Sequence, residues 1–151
     1  MVMKILDSKK IKYNHYFYEA TSLTTGVEVA KILNQDVSKV FKTLVTVGKT
    51  GKNYVFVIPV AKELDLKKAA KVVNEKFIEM IKAKDLLPTT GYVHGGCSPI
   101  GMKKQFITYF DQTMNELDTI CFSGGKIGAQ VELNIKDLSK IINYKTADLI
   151  I

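Results

Sequence analysis

The stretch Phe41-Lys-Thr-Leu-Val-Thr-Val47, followed by Tyr54-Val-Phe-Val-Ile-Pro-Val60, decides the fold of this chain. Both runs are rich in β-branched and aromatic residues, which predicts two neighbouring strands. The segment between them, Gly48–Asn53, has the glycine and polar content of a hairpin-type loop. We therefore expect the two strands to pair with each other as a hairpin.

Helices and strands are mixed on both sides of this hairpin, without repeats or a Pro/Gly/Ser-rich linker. Predicted helices are Val2–Lys10, one that a Thr25/Glu28 capping box opens, Asp65–Val73, Lys82–Leu87 ending before Pro88, and Ile135–Ile142. The other predicted strands are Tyr13–Tyr18, Phe77–Met80, Gln105–Asp111, Thr119–Ser123, Gln130–Leu133 and Lys145–Ile151. Strands outnumber helices, so we expect an α+β class with a mixed sheet, in one domain over 1–151.

The charge pattern favours an anionic partner but limits how it is recognised. The chain of 151 residues carries a net charge of +7. All 22 basic residues are lysines, so bidentate arginine contacts to guanine and arginine clamps are excluded. Lysines neutralise phosphates as point charges, although a solvated lysine surface explains the composition equally well. We expect neither DNA nor a membrane as partner.

Two features favour a cytoplasmic protein without a cofactor. No apolar run approaches the roughly 20 residues that span a bilayer, and Met1–Asp7 lacks the pattern of a signal peptide. Cys97 and Cys121 form no disulfide framework, and with two histidines they fall short of a structural zinc site. We therefore predict free thiols, no metal and no cofactor.

Lys42 is the first candidate for chemistry, because it lies inside an apolar strand. With a period of two, Lys42 shares a face with Leu44 and Thr46, opposite Phe41, Thr43 and Val45. Its ammonium group can be presented to an anion or to a carbonyl oxygen. A half-buried strand with its lysine facing water is the alternative.

Two glycine-rich segments are the other candidates. Tyr92-Val-His-Gly-Gly-Cys-Ser-Pro-Ile-Gly-Met102 needs an unusual backbone, and such a loop can aim N–H groups at an anion or a developing oxyanion. Phe122-Ser-Gly-Gly-Lys-Ile-Gly-Ala-Gln130 connects two strands and matches neither a P-loop nor a dinucleotide fingerprint. The alternative is a tight turn for the first segment and a hairpin with a polar tip for the second. We do not expect Cys97 to be a nucleophile, because no histidine beyond nearby His94 is patterned as its partner.

Together and in this order, these segments resemble the YbaK/EbsC family of small deacylases, which are similar to the editing domain of bacterial prolyl-tRNA synthetases. The resemblance covers nearly the whole chain. It runs through Tyr18, Val40–Leu44, Pro59-Val60, Leu64–Lys68, Gly91-Tyr92, Gly95–Gly101, Ser123–Gly128 and Glu132-Leu133.

The resemblance implies a barrel-like β-sheet flanked by helices, with a pocket between the glycine loops and the lysine strand. It implies a misacylated tRNA as substrate, in the best-known branch cysteine on the proline tRNA, and transient association with prolyl-tRNA synthetase. It assigns Lys42 and Gly101 to catalysis. It assigns to substrate binding Tyr18, Thr43, Gly95, Gly96, Ser98, Pro99, Ser123, Gly124, Gly125 and Gln130.

Two departures and two rival functions remain open at this stage. Gln130 stands where some members carry an acidic residue, and Ala20–Thr25 is shorter and more polar than in some members. Both bear on which amino acid is removed, with alanine as the main alternative to cysteine. The rivals are a module that binds tRNA or nucleotides without chemistry, and an accessory protein that has kept only the fold.

Overall fold

The computed structural model describes residues 1–151, which form eight strands in two sheets with five α-helices around them. The helices are α1 (Val2–Ser8), α2 (Gly26–Ile32), α3 (Leu66–Val72), α4 (Ala83–Thr90) and α5 (Ile135–Leu138). The strands are β1 (Tyr13–Phe17), β2 (Phe41–Gly48), β3 (Asn53–Pro59), β4 (Ile78–Met80), β5 (Ile107–Asp111), β6 (Thr119–Ser123), β7 (Ala129–Asn134) and β8 (Lys145–Ala147). The predicted α+β class is confirmed.

The sheets are mixed and open. One has the strand order β1-β7-β6 and is antiparallel, whereas the other has the order β4-β2-β3-β5-β8 and contains parallel pairs of β3 with β5 and β5 with β8. A single bridge between Val40 and Cys121 joins them at the start of β2. The sheet therefore curls toward a barrel, as predicted, but the barrel is not closed.

The predicted hairpin is confirmed. The other side of β2 is paired only at its two ends. β2 pairs with β3 along its length, from Phe41 opposite Pro59 to Val47 opposite Asn53. On the side away from β3, β6 reaches only Val40, and β4 pairs only from Thr46 onward. The middle of β2 therefore has an open edge.

Local sequence signals set several helix boundaries. The Thr25/Glu28 capping box of α2 forms in both directions, with distances of 3.2 and 3.1 Å. Asp65 caps α3 by accepting hydrogen bonds from the amides of Lys67 and Lys68 at 3.0 and 3.1 Å. These caps satisfy amides that have no partner inside the helix, which is why the sequence signal was reliable.

Three predicted boundaries were wrong. α4 continues through Pro88 to Thr90, because the Thr90 hydroxyl and the Gly91 amide hold its last turn through hydrogen bonds of 2.8 Å to Leu86 O and Leu87 O. Gly91, with φ of 87°, ends the helix. The helix predicted over Ile135–Ile142 ends at Leu138 and continues as turns.

The strand predicted over Lys145–Ile151 also ends early, at Ala147. The amide of Leu149 donates to the carboxylate of Asp111 at 2.9 Å instead of to a neighbouring strand. Ile150 then forms one isolated bridge with Leu64. The Asp111 side chain thus replaces a main-chain acceptor on a neighbouring strand. The apolar sequence of this segment did not indicate such a contact.

A partly buried ion pair ties β7 to the segment before β2. Glu132 accepts hydrogen bonds from Lys39 Nζ at 2.7 Å, Thr119 Oγ1 at 2.8 Å and Tyr16 OH at 2.8 Å. Burial alone would raise the pKa of Glu132, but the three donors outweigh it and lower the pKa to about 2. The ionised carboxylate therefore stabilises the junction of the two sheets.

We predict that Glu132→Gln lowers the free energy of unfolding at pH 7 by about 1–3 kcal/mol, because it removes the negative charge that faces the partly buried Lys39 ammonium. The folded-state pKa is depressed, so this stabilisation is present above pH 4.5 and is lost as pH falls toward 2. Urea denaturation at pH 7 and pH 3, followed by circular dichroism, measures it.

The matched control is Glu116→Gln, which neutralises an exposed carboxylate outside this network. A Glu132→Gln variant as stable as the control at pH 7, or a difference that stays constant down to pH 3, would contradict this account of the junction.

Candidate active site

A cavity of about 870 Å³ lies at the open edge of β2. Its size is in the range of small-molecule sites, and most of its lining is apolar with a few polar groups. Residues 40–45 form one wall. The loop before α2 and the two glycine-rich segments complete it, through Thr21–Gly26, His94, Gly95, Cys97, Ser123 and Ile127.

Lys42 is the one lysine among the residues that line this cavity. It is half-buried, and its ammonium group has no hydrogen-bond or ion-pair partner within the protein. The same lining includes Val60, Ala61 and Glu63, which follow β3. The Lys42 ammonium group is therefore not held in an ion pair within the protein and is free to interact with a ligand.

Thr43 follows Lys42 and, by strand alternation, faces the other side of β2. It too lines the cavity, and its Oγ1 is the single buried side-chain polar atom without a hydrogen-bond partner. A buried hydroxyl of this kind costs free energy and calls for an explanation.

The main-chain N–H and C=O groups of Thr43 also lie at the open edge of β2. Val40 O accepts from Val60 N on the β3 side, whereas Val45 O accepts from Ile81 N on the opposite side. Alternation therefore directs the N–H and C=O of Thr43 away from β3, where no strand is paired with it. At the open edge, β2 therefore has unpaired main-chain groups at Thr43 next to the side chain of Lys42.

The two glycine-rich segments meet, as the predicted pocket requires. A Cβ atom on Gly96 would lie 3.0 Å from Lys126 Cα and 3.1 Å from Ile127 N, so a larger residue would push the two backbones apart by a few tenths of an ångström. Gly95, with φ of 87°, and Cys97 flank the contact and line the cavity. The amides of Gly95 and Cys97 donate no hydrogen bond within the protein, so both are available to a bound oxyanion.

Three further predicted residues line the cavity: Tyr18, Ser123 and Gln130. Burial raises the pKa of Tyr18, so its hydroxyl stays protonated at neutral pH. Ser123 Oγ accepts from the amide of Gly125 at 3.1 Å. Gln130 is fixed by Gln35 in a reciprocal amide pair of 2.6 and 3.0 Å, so the position carries a neutral, oriented amide.

Cys97 lines the cavity without the properties of a nucleophile. Burial raises the pKa of its thiol to about 12, and only the thiolate attacks carbonyl carbon efficiently. This agrees with the prediction that Cys97 is not the nucleophile. Cys121 is fully buried in β6, and burial likewise raises its thiol pKa to about 12.

The structure places the remaining predicted residues outside the lining of this cavity. They are Gly96, Ser98, Pro99, Gly101, Gly124 and Gly125. Pro99 and Gly101 line a separate cavity of about 90 Å³ beside α1 and β5. Ser98 is fully buried and accepts from the amide of Ile100 at 3.3 Å, which shapes the loop.

Sequence reasoning did not single out three contributors. Gln35 orients Gln130 from 95 positions away in the sequence, which no local pattern reveals. His94 was noted only as a neighbour of Cys97, although it lines the cavity. The segment Thr21–Thr25 was noted for its polarity, and that polarity, next to a helix start, was the available signal.

Two further properties of the structure concern metal binding and membrane spanning. No group of three or more His, Cys, Asp or Glu side chains is placed to hold a metal ion. None of the helices has the length and apolar character needed to cross a membrane.

The fold and the site define the class of protein to which this chain belongs. A family model described as "Aminoacyl-tRNA editing domain" matches residues 21–141, which include the open edge of β2 and both glycine-rich segments. The chain belongs to this family.

Individual relatives agree with the family. A protein of Enterococcus faecalis (strain ATCC 700802 / V583), provisionally named Cys-tRNA(Pro)/Cys-tRNA(Cys) deacylase EbsC, is 42% identical over 148 residues, covering 97% of this chain and 90% of that protein. A solved structure described as a provisional trans-editing enzyme for prolyl tRNA synthetase is 25% identical, with a TM-score of 0.84, covering 99% of this chain and 94% of that one. Hypothetical protein APE2540, at 21% identity, has the same fold, with a TM-score of 0.86 over 99% of both chains.

We predict that Thr43→Val leaves the free energy of unfolding unchanged or raises it by up to about 1 kcal/mol, because it removes an unpaired buried hydroxyl. Thr46→Val is the matched control on the same strand. Thr46 is fully buried and donates to Tyr54 O at 2.9 Å, so its replacement is expected to cost about 1 kcal/mol. Thermal and urea denaturation compare them; equal destabilisation by both substitutions would show that the Thr43 hydroxyl is satisfied in the folded protein.

Proposed function

We propose that this chain is a trans-acting aminoacyl-tRNA deacylase that removes cysteine wrongly attached to the proline tRNA. The observation that carries the proposal is Lys42, placed without a partner at the open edge of β2, where two glycine-rich segments of an editing-domain family member converge. The name of the E. faecalis relative supports cysteine as the amino acid, with alanine as the alternative.

The proposed reaction relies on charge stabilisation. The ester carbonyl oxygen gains negative charge in the transition state, and the free amides of Gly95 and Cys97 are suited to donate hydrogen bonds to this oxygen. Lys42 supplies a positive charge to this oxygen or to the terminal phosphate. Thr43 contributes its unpaired hydroxyl and main chain to substrate binding, which accounts for a buried hydroxyl without a partner in the protein.

The nucleophile in this proposal comes from the substrate or from water. Attack by the cysteine thiol on its own ester carbonyl breaks the bond to the ribose oxygen, which takes up the proton, and leaves a cyclic thioester. Attack by water gives free cysteine. Both routes fit a cavity in which burial keeps the enzyme's Cys97 thiol protonated, and neither requires a metal or cofactor.

The remaining predicted residues are proposed in roles that match their positions. Tyr18, Gly95, Ser123 and Gln130 contact the substrate in the cavity. Gly96, Ser98, Pro99, Gly124 and Gly125 shape the loops that carry those contacts. The catalytic contribution of Gly101 is proposed to be indirect, because its φ of 81° and its packing against Tyr92 fix the first glycine segment.

The proposed partner is misacylated tRNA, since the family edits aminoacyl-tRNA. Transient association with prolyl-tRNA synthetase is proposed from the description of the solved relative. The cytoplasm, where tRNA is charged, is the proposed location. An editing enzyme of this kind is useful because a synthetase pocket separates near-isosteric amino acids by only about 1–3 kcal/mol.

We predict that Lys42→Ala lowers kcat/KM for cysteinyl-tRNA(Pro) by about 10²–10³-fold, the loss typical for one charge-stabilising group. The assay follows loss of the ester from proline tRNA charged separately with cysteine, alanine or proline. Rapid loss of cysteine, with proline retained, is the expected wild-type result.

Lys49→Ala is the matched control, because Lys49 is an exposed lysine just beyond the other end of β2. Equal activity of the two lysine variants would remove Lys42 from the mechanism. Binding of tRNA by the wild-type protein without loss of any ester would leave a binding module in place of an enzyme.

A further inference from the structure

An exposed row of aromatic rings lies on one face of β1, outside the cavity. Tyr13, His15 and Phe17 alternate along the strand, with ring centroids 6.2 Å apart for the first pair and 5.3 Å for the second. Phe17 is 59% exposed, and His15 is exposed as well. Tyr13 is half-buried, and its hydroxyl donates to Asp7 at 2.9 Å.

A lysine is placed directly over this row. Lys126 Nζ lies 5.6 Å from the centroid of the Phe17 ring, in cation–π geometry. Lys126 is exposed and belongs to the second glycine-rich segment, whose main chain packs against Gly96. The row therefore presents ring faces and a positive charge together.

The aromatic row is continuous with the candidate active site. Phe17 precedes Tyr18, and Lys126 precedes Ile127; both following residues line the large cavity. The amide of Tyr18 donates to Gly128 O at 3.0 Å, which holds the end of β1 against the glycine-rich segment. The row and the cavity are therefore adjacent at the end of β1.

The core does not account for the exposed rings. β1 is an edge strand, paired on one side with β7 only, and exposed aromatic residues on such an edge invite aggregation unless they serve a purpose. Exposed rings beside a cation, on a chain of net charge +7, fit single-stranded nucleic acid, because every base can stack and every phosphate is negative.

We propose that β1 is a stacking platform for the unpaired 3′ end of the RNA substrate. Bases that precede the terminal nucleotide stack on Phe17 and His15, and Lys126 neutralises an adjacent phosphate. The terminal nucleotide with its ester passes Tyr18 into the cavity. This inference rests on the proposed function for the identity of the RNA, but it assigns a separate surface with its own binding energy.

The test compares two uncharged RNA hairpins that differ only at the 3′ end, one with four unpaired nucleotides and one blunt. Phe17→Ala is expected to weaken binding of the hairpin with the overhang about 5- to 100-fold, as for loss of stacking on one base. Binding of the blunt hairpin is expected to stay unchanged. Phe17→Trp is expected to retain wild-type affinity, because the larger ring still stacks.

Phe77→Ala is the matched control, since Phe77 is another exposed phenylalanine, 47% exposed, just before β4. Thermal denaturation of every variant checks that the fold is kept. Equal affinity of the Phe17→Ala and Phe77→Ala variants for the overhang would overturn the platform, as would an equal loss for both hairpins. A Phe17 variant defective only in association with prolyl-tRNA synthetase would overturn it in favour of a protein-binding surface.

Turnover separates this inference from the proposed function. If both hold, Phe17→Ala raises KM for cysteinyl-tRNA(Pro) and leaves kcat nearly unchanged, because the cavity is intact. Deacylation by the wild type with KM unaffected in Phe17→Ala would refute the platform alone. Overhang binding that depends on Phe17, without loss of any ester, would refute the proposed deacylase and leave the platform standing.

Discussion

The incomplete pairing of β2 is the constraint on which the candidate site depends. The strand is paired with β3 along one side. On the other side, β6 contacts only the start of β2 at Val40, and β4 pairs only with its last residues, from Thr46 onward. Main-chain groups between these contacts lack a neighbouring strand, and unpaired groups buried without a ligand cost free energy. The same gap makes room for a cavity and gives Lys42 and Thr43 access to it.

The surrounding structure keeps this gap open. The bridge at Val40 and the partly buried Lys39–Glu132 ion pair fix the start of β2 against the three-stranded sheet. The close approach of Gly96 to Lys126 and Ile127 joins the two glycine-rich segments across the cavity from β2. A rigid frame around a few unpaired polar groups is the arrangement expected of a site that stabilises developing charge without a nucleophile of its own.

Sequence reasoning predicted the elements whose causes are local. The β2–β3 hairpin, the capping box at Thr25 and the cap at Asp65 follow from residue types a few positions apart, and all three are present. The α+β class followed from the number and order of the predicted elements, and the family resemblance added the barrel-like sheet and a pocket between the glycine-rich segments and β2. One error arose because a distant group decided the outcome: Asp111 accepts a hydrogen bond from the amide of Leu149, and β8 ends early. The error at α4 was local, because hydrogen bonds from Thr90 and Gly91 hold its last turn beyond Pro88.

The site shows the same division between local and distant causes. Lys42 could be singled out because a lysine in an apolar strand is visible in the sequence, and Thr43 was added by the family resemblance. The open edge beside them could not, because it depends on where β4 and β6 stop. The pairing of Gln35 with Gln130 and the position of Gly101 beside a separate small cavity likewise depend on tertiary contacts.

The most direct test of the central claim, that substrate occupies the open edge of β2, is an amide chemical-shift titration. The ligand is an adenosine carrying cysteine through a stable 3′-amide in place of the ester. The account predicts that the largest shifts fall on the amides of Thr43, Gly95 and Cys97, with Ile107 in β5 as an unaffected reference. Saturable binding with shifts confined to the small cavity around Gly101, and none at Thr43, would contradict it.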